Sequence, residues 1–270
     1  MTDSSTTERP AAAPSLETYL RERSAGGRKL LLPYVTAGVT PDWLELVDAV
    51  IDAGADAVEI GIPFSDPAMD GTTIQEASVV ALDNGITPAG ALHQLAERRF
   101  GVPLIAMTYY NLVYRYGHER FAADLAEAGG WATILPDLPM EHAEEWTNAA
   151  TEVGIENVLL ASPVTDDRRL TTIAERSGGF VYVVSTMGTT GERAGVDDAA
   201  TVLARRVKAI TDKPAIVGFG ISSAETARVA AAEADGVVVA SALLRRILDG
   251  RAIDEAASLI AEIRTGLDAA

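Results

Sequence analysis

The sequence predicts a single (β/α)8 barrel, and three observations support that fold class. Eight short apolar runs, rich in Val and Ile, recur along the 270 residues. They are apolar at nearly every position, which is typical of parallel strands covered by helices on both faces. Amphipathic segments lie between them, and several end in glycine, as helices often do. This alternation over about 250 residues indicates a barrel, with an open doubly wound sheet as the alternative.

The predicted elements follow one another along the whole chain. Apolar runs that predict strands occupy 30–38, 57–62, 104–110, 132–139, 157–163, 180–186, 215–220 and 236–241. Amphipathic segments that predict helices include 42–54, 121–130, 142–154, 225–234 and a last helix within 251–270. We expect a disordered tail over residues 1–15. An extra helix should precede the first strand, and residues 16–270 should form one catalytic barrel domain.

The spacing of the strands singles out two connections. Most strand starts lie less than 30 residues apart, but about 47 residues separate the second from the third and about 35 the sixth from the seventh. The extra residues, 63–85 and 187–197, follow the carboxyl ends of strands. Barrel active sites are built from loops at that face, and long loops in compact domains are usually functional. We therefore expect long active-site loops after strands 2 and 6.

Composition narrows the classes of function. The formal net charge of −17 argues against a surface for nucleic acid or anionic membranes. The absence of cysteine excludes disulfides and thiolate zinc sites. No apolar run approaches 18 residues, and the N-terminus lacks a signal-peptide core. We therefore expect a cytoplasmic protein.

The positions of the lysines and histidines argue against two further kinds of site, a Schiff-base site and a metal site. The lysines Lys29, Lys208 and Lys213 all lie away from the carboxyl ends of predicted strands, which argues against a Schiff-base aldolase. The three histidines, at positions 93, 118 and 142, fall far apart on helices or helix starts, and we expect each at the surface. We therefore predict no metal site.

Glycine and serine near the last strands favour a phosphate site. Barrels often bind phosphate with the loops after strands 7 and 8 and a helix N-terminus, where backbone N–H groups and the helix dipole favour an anion. The alternative for each segment is a tight turn with a serine cap. We predict phosphate contacts from Gly191, Gly220, Ala240 and Ser241.

Two carboxylates are candidates for acid–base work. Glu59 is a lone acidic residue in the second apolar run, and burial at the barrel mouth would raise its pKa and suit it to proton transfer near neutral pH. Asp70, eleven residues later, could accept a hydrogen bond from a substrate N–H or O–H. The alternative for Glu59 is a solvated strand end. For Asp70 and Asp66 the alternative is a turn residue.

A longer series of motifs resembles the tryptophan synthase α-subunit family. Residues 58–75 read VEIGIPFSDPAMDGTTIQ, an acidic residue followed by Pro-Phe-Ser-Asp-Pro, Asp-Gly and Thr-Ile-Gln. The resemblance runs from about Leu16 to Leu248. It also includes PYVTAG, YYN, PDLP, the Thr-Gly of 190–191 and GFGIS, in that order.

The resemblance implies a barrel enzyme that cleaves indole-3-glycerol phosphate into indole and glyceraldehyde 3-phosphate. Glu59 then matches the acid that protonates the indole ring, Asp70 the group that binds the indole N–H, and Tyr182 the tyrosine beside the glutamate. The phosphate positions match the four predicted above. The indole pocket positions match Tyr34, Ile74, Met107, Tyr109, Ile134, Thr190 and Phe219.

The family also works as a complex, in which a β subunit uses pyridoxal phosphate to join indole to serine. The resemblance therefore implies a β partner, an α2β2 assembly and no cofactor in this chain. Pro63, Asp66 and Asn111 match the docking surface. Ala240 stands where the family usually has glycine, and alanine is tolerated at this position if its φ is negative. Thr108 also departs, standing where a larger apolar residue is expected.

Three alternatives stay open at the level of the sequence. A stand-alone lyase that releases free indole would use the same residues, although the intact PFSDP run favours a partnered subunit. A non-catalytic paralogue that only activates a β partner is disfavoured by the intact Glu59 and Asp70. Another phosphate-binding barrel, an isomerase or a phosphosynthase, is disfavoured by the absence of a lysine at the mouth.

Overall fold

The strands close into a parallel barrel. The computed structural model describes residues 14–184, 198–218 and 220–269. Each strand pairs in parallel with the next, and the eighth pairs with the first, so the barrel prediction is confirmed and the open sheet is excluded. The strands are β1 Leu30–Thr36, β2 Val58–Gly61, β3 Leu104–Met107, β4 Gly130–Ile134, β5 Glu156–Ala161, β6 Val181–Val183, β7 Ala215–Val217 and β8 Gly236–Val239.

Helices follow the strands around the outside of the barrel. Within the described residues they are α1 Leu16–Arg23, α2 Trp43–Asp52, α3 Thr72–Asp83, α4 Pro88–Ala96, α5 Tyr110–Tyr116, α6 His118–Glu127, α7 Glu144–Glu152, α8 Asp167–Arg176, α9 Asp198–Lys208, α10 Ala224–Ala231, α11 Ser241–Leu248 and α12 Ile253–Asp268. The predicted N-terminal and C-terminal helices are confirmed as α1 and α12. Over the described ranges, no helix combines the length and the apolar character needed to cross a membrane.

The connection after β2 differs from the long loop that the spacing predicts. Only residues 62–71 form a loop, because residues 72–83 fold into α3 and a second helix, α4, follows before β3. The extra length therefore forms one short loop and one additional helix. The other predicted loop, 187–197, lies outside the described residues, as does the predicted tail except for Pro14 and Ser15. Ser15 caps α1, since its hydroxyl accepts a hydrogen bond from Thr18 N–H.

A buried ionic cluster joins the terminal helices to the bottom of the barrel. Asp56 lies just before β2, is fully buried, and its Oδ2 accepts a hydrogen bond from Leu31 N–H at 3.0 Å. Its carboxylate also pairs with Arg23 at 2.9 Å, Arg28 at 3.0 Å and Arg264 at 3.3 Å. The charge is therefore matched on several sides, as a buried carboxylate requires. This cluster fixes α1 and α12 at the end of the barrel opposite the carboxyl ends of the strands.

The register of β1 and β2 determines which side chains enter the barrel. Tyr34 pairs with Glu59, and Thr36 pairs with Gly61 one layer nearer the mouth. Residues two apart on a strand point to the same face, so all four positions belong to one side of the sheet. Glu59 and Thr36 are fully buried polar residues among apolar strand neighbours, and this points to the interior as the functional region.

Candidate active site

Glu59 carries a fully buried carboxyl group inside the barrel. Its side chain is fully buried in β2, and among the described residues neither carboxylate oxygen has a partner. Burial disfavours the charged form and raises the pKa of Glu59 to about 8. Glu59 is thus not a solvated strand-end residue. It is a protonated acid near neutral pH, buried inside the barrel.

Asp70 closes the loop between β2 and α3, and a hydrogen-bonded tyrosine holds it in place. The Tyr109 hydroxyl donates to Asp70 Oδ2 at 3.1 Å and accepts from Met69 N–H at 2.9 Å. The Gln75 side-chain amide donates to Asp70 O at 2.9 Å and fixes the turn. Desolvation raises the pKa of Asp70 to about 6, against the lowering effect of the hydrogen bond from Tyr109. Asp70 is therefore ionised at neutral pH.

Two buried tyrosines, Tyr34 on β1 and Tyr182 on β6, accompany Glu59. Each is only 6% exposed. Burial is the main cause that raises the pKa of both phenols, and the negative charges of Asp70 and Glu59 act in the same direction. Both hydroxyls therefore stay protonated and can donate hydrogen bonds inside the site.

Two glycines that the sequence-based prediction missed make room for these tyrosine rings. A Cβ atom built on Gly61 would lie 1.8 Å from Tyr34 Oη, and one on Gly218 would lie 2.0 Å from Tyr182 Oη. Each ring fills the space that a side chain on the neighbouring strand would need. No local signal marks these glycines, because each tyrosine lies on a neighbouring strand and only the strand pairing brings the ring and the glycine together.

A cavity of about 500 Å³ opens at the carboxyl ends of β3 to β6, which is large enough for a small organic ligand. Its walls include Asp70, Met107, Leu135, Leu160, Tyr182 and Val184. A second cavity of about 10 Å³ lies among residues that include Tyr34, Asp70, Met107 and Tyr109. A larger groove of about 590 Å³ runs between α2 and α12, but it contains none of the residues predicted for the site.

The remaining predicted pocket residues lie around this mouth or outside the described residues. Ile74 is buried in the first turn of α3, and Ile134 is fully buried at the end of β4. Met107 ends β3 and lines both cavities. Of the predicted residues, Thr190, Gly191 and Phe219 lie outside the described residues.

Of the predicted phosphate residues that the structure describes, Ala240 and Ser241 form the start of α11, and Gly220 lies in the connection between β7 and α10. Gly220 has a φ of +72°, a conformation that favours glycine. Ala240 is the N-cap with a φ of −114°, so the alanine is tolerated, and Ser241 begins the helix. Among the residues that the structure describes, no side chain caps α11, whereas Ser223 and Thr226 form a capping box on α10. The start of α11 is therefore the better candidate for an anion.

The predicted docking residues lie on two adjacent segments. Pro63 and Asp66 belong to the 62–71 loop, and Asn111 is exposed in the first turn of α5. Tyr109 is the N-cap of α5, so its bonds to Met69 and Asp70 join the two segments directly. A contact on α5 would therefore reach Asp70 through one side chain.

The three lysine side chains lie away from this mouth. Lys29 donates to Ala234 O at 2.8 Å, Lys208 pairs with Asp235, and Lys213 donates to Ser177 O, all before the amino ends of strands. The prediction that no lysine reaches the mouth is confirmed.

The surface prediction for one histidine is wrong. His118 is half-buried, stacked on Tyr110 and hydrogen-bonded to its hydroxyl at 3.0 Å, because α5 and α6 fold back on each other at Gly117. His93 and His142 are exposed, as predicted.

Comparisons with known proteins agree with this geometry. The family model described as tryptophan synthase alpha chain matches residues 20–267. The chain is 44% identical over 248 residues to the tryptophan synthase alpha chain of Streptomyces coelicolor, covering 90% of this chain and 91% of that protein. It is 45% identical over 240 residues to the tryptophan synthase alpha chain of Chloroflexus aurantiacus, covering 86% of this chain and 88% of that protein.

Solved structures give the same result. Mycobacterium tuberculosis tryptophan synthase matches with a TM-score of 0.87 and 37% identity, over 94% of this chain and 99% of that one. The Legionella pneumophila tryptophan synthase subunit alpha matches with a TM-score of 0.85 and 30% identity, over 96% of this chain and 100% of that one. The chain therefore belongs to the tryptophan synthase alpha chain family, whose members are lyases acting on indole-3-glycerol phosphate.

Proposed function

We propose that Glu59 is the acid that protonates the indole ring when indole-3-glycerol phosphate is cleaved. The reaction adds a proton to the ring carbon that carries the side chain, breaks the bond between them, and converts the adjacent hydroxyl into an aldehyde by loss of its proton. The observation that carries the proposal is the fully buried carboxyl of Glu59, which has no hydrogen-bond partner in the described part of the chain and a pKa raised to about 8. Once it has given up its proton, the same carboxylate is basic enough to accept the hydroxyl proton.

Asp70 has the complementary role in this proposal. Protonation of the ring carbon leaves a cationic indolenine whose charge is centred near the ring nitrogen. An ionised carboxylate that accepts the N–H hydrogen bond stabilises that charge most in the transition state, which is where stabilisation increases the rate. The hydrogen bond from Tyr109 supports this role by fixing the orientation of Asp70.

We assign the other residues of the site to support and binding. Tyr182 is buried and its hydroxyl stays protonated, so it can donate a hydrogen bond inside the site, which suits it to orient the reacting hydroxyl. Apolar contacts with the indole ring come from Tyr34, Ile74, Met107, Tyr109, Ile134, Thr190 and Phe219. The phosphate binds at the N-terminus of α11 through Gly191, Gly220, Ala240 and Ser241, where backbone N–H groups and the helix dipole replace a basic side chain.

These roles predict a bell-shaped dependence of kcat/KM on pH. Asp70 must be ionised, so activity falls as pH drops through about 6, and Glu59 must be protonated, so activity falls as pH rises through about 8. Initial rates of indole release from pH 5 to 9.5 measure both limbs. A phosphate monoester also titrates near pH 6, so the residual activity of Asp70→Asn serves as the control and should lack the acid limb that belongs to Asp70. A rate that stays constant from pH 7 to 9.5 would contradict the role of Glu59.

We further propose that the chain acts in the cytoplasm with a β subunit, in an α2β2 assembly, and that pyridoxal phosphate belongs to that partner. The 62–71 loop and α5 form the proposed docking surface, with Pro63, Asp66 and Asn111 in it. Exposed apolar side chains support this assignment, since Met69 is 47% and Tyr114 65% exposed on these two segments.

Indole release with and without a tryptophan synthase β subunit tests the partnership. The purified chain should release indole slowly, and the rate should rise several-fold or more when β is added. The variant Asn111→Ala should keep the slow rate and lose most of the increase. Fast release that β leaves unchanged would instead identify a stand-alone lyase and overturn the partnered assignment.

A further inference from the structure

Gly61 occupies an inward-facing position that could hold a side chain. It lies two residues after Glu59 and pairs with Thr36, so it belongs to the face that points into the barrel, one layer nearer the mouth. It does not belong to the glycines with positive φ, so the backbone conformation alone does not demand glycine there. The reason for glycine at this position must therefore lie in its surroundings.

The ring of Tyr34 fills the space above Gly61. A Cβ atom at position 61 would lie 1.8 Å from Tyr34 Oη, 2.3 Å from Cζ and 2.9 Å from Cε2. These separations are far inside van der Waals contact, so no side chain fits while Tyr34 keeps its place. A Cβ atom on Gly61 would therefore push the buried ring of Tyr34 away from β2, toward the interior of the site.

The interior next to Tyr34 borders both proposed catalytic carboxyls. Tyr34 is level with Glu59 on the neighbouring strand, and together with Asp70 and Tyr109 it lines the cavity of about 10 Å³. A ring displaced from Gly61 would enter the region between Glu59 and Asp70. That region has to accept the flat ring of the substrate if one carboxyl serves the ring carbon and the other serves the ring nitrogen.

We propose that Gly61 is a positioning residue, which holds the ring of Tyr34 against β2 and so keeps open the gap between Glu59 and Asp70 for the indole ring. This inference rests on the roles proposed for the two carboxyls. Gly61 itself has no side chain to touch the substrate, and it acts entirely through Tyr34.

A graded set of variants tests this pair. Gly61→Ala should lower kcat/KM for indole-3-glycerol phosphate by about 100-fold, because a displacement of about 1 Å in an active site costs that much. Adding Tyr34→Phe removes Oη but leaves Cζ 2.3 Å from the new methyl group, so recovery should be partial. Adding Tyr34→Leu removes all three clashing atoms. The double variant should therefore return to within a few-fold of Tyr34→Leu alone.

The matched control truncates the other tyrosine. The double variant Gly61→Ala with Tyr182→Leu should keep the full loss of kcat/KM that Gly61→Ala causes, when it is compared with Tyr182→Leu alone. The reason is that Tyr182 lies over Gly218, so its truncation relieves no clash at position 61. Thermal unfolding of every variant separates loss of fold from loss of activity. If Gly61→Ala alone does not fold, a folded and active double variant with Tyr34→Leu counts as the same recovery.

Two results would overturn the inference. One is a Gly61→Ala variant with near-normal kcat/KM, and the other is an equal loss whichever residue stands at position 34. The loss caused by Gly61→Ala is measured in each case relative to the chain that has the same residue at position 34 and glycine at position 61. Failure of the proposed carboxyl roles would instead appear as activity in Glu59→Gln or Asp70→Asn, so the two failures are distinguishable.

Discussion

Replacement of Glu59 by glutamine is expected to lower kcat for indole release by about 1,000-fold or more. The amide has the shape of the carboxyl group but no acidic proton to give, and general acid catalysis typically contributes about 10²–10⁴-fold. Because Glu59 has no hydrogen-bond partner among the described residues, its replacement breaks no internal bond of that part of the chain. The fold and the affinity for substrate should therefore be retained.

Steady-state indole release measures the loss, and calorimetric titration with a substrate analogue that lacks the reacting hydroxyl measures the binding. The matched control is Glu119→Gln, the same chemical change at an exposed position of α6, which should leave kcat unchanged. Turnover of Glu59→Gln near that of the unmodified chain would show that another group protonates the ring.

Replacement of Asp70 by asparagine is expected to lower kcat by about 100-fold. The amide oxygen still accepts a hydrogen bond from the indole N–H, but it carries no negative charge to stabilise the cationic ring. Removing one stabilising group of this kind typically costs about 10²–10³-fold. The loss should appear in kcat more than in KM, because the charge develops only in the transition state.

Tyr109→Phe provides a graded comparison for Asp70. It removes the hydrogen bond at 3.1 Å to the carboxylate while the charge stays, so its loss in kcat should be clearly smaller than that of Asp70→Asn. The two variants are compared by the same assay of indole release. Equal losses would mean that the position of the loop, and not the charge of Asp70, limits the rate.

The features that could be predicted from the sequence are those that depend on local pattern. Strands buried on both faces give continuous apolar runs, so the barrel and the order of its strands could be predicted. Glu59 could be predicted as a candidate because a lone acidic residue interrupts one of these runs. The helix over residues 72–83 is more difficult to predict, because its amphipathic pattern is moderate and it overlaps the motif of residues 58–75. The sequence predicts a loop there, and the structure has α3.

The features that could not be predicted depend on contacts between distant segments. Gly61 matters because of Tyr34 on the neighbouring strand, and nothing local to residue 61 indicates this. Likewise, Asp56 is matched by arginines from both ends of the chain, and only the closed barrel brings them together. The half-buried position of His118 depends in part on the ring of Trp146, which lies on α7.

The most direct test of the role of Glu59 is hydrogen exchange at the ring carbon of indole. In deuterium oxide with indole and glyceraldehyde 3-phosphate, the reversible reaction removes the hydrogen from that carbon and returns deuterium from the catalytic acid, and NMR follows the loss of the proton signal. The unmodified chain and Glu119→Gln should exchange this position well above the rate without enzyme, and Glu59→Gln should exchange it no faster than that background. Exchange by Glu59→Gln at the rate of the unmodified chain would contradict the assignment of Glu59 as the proton donor.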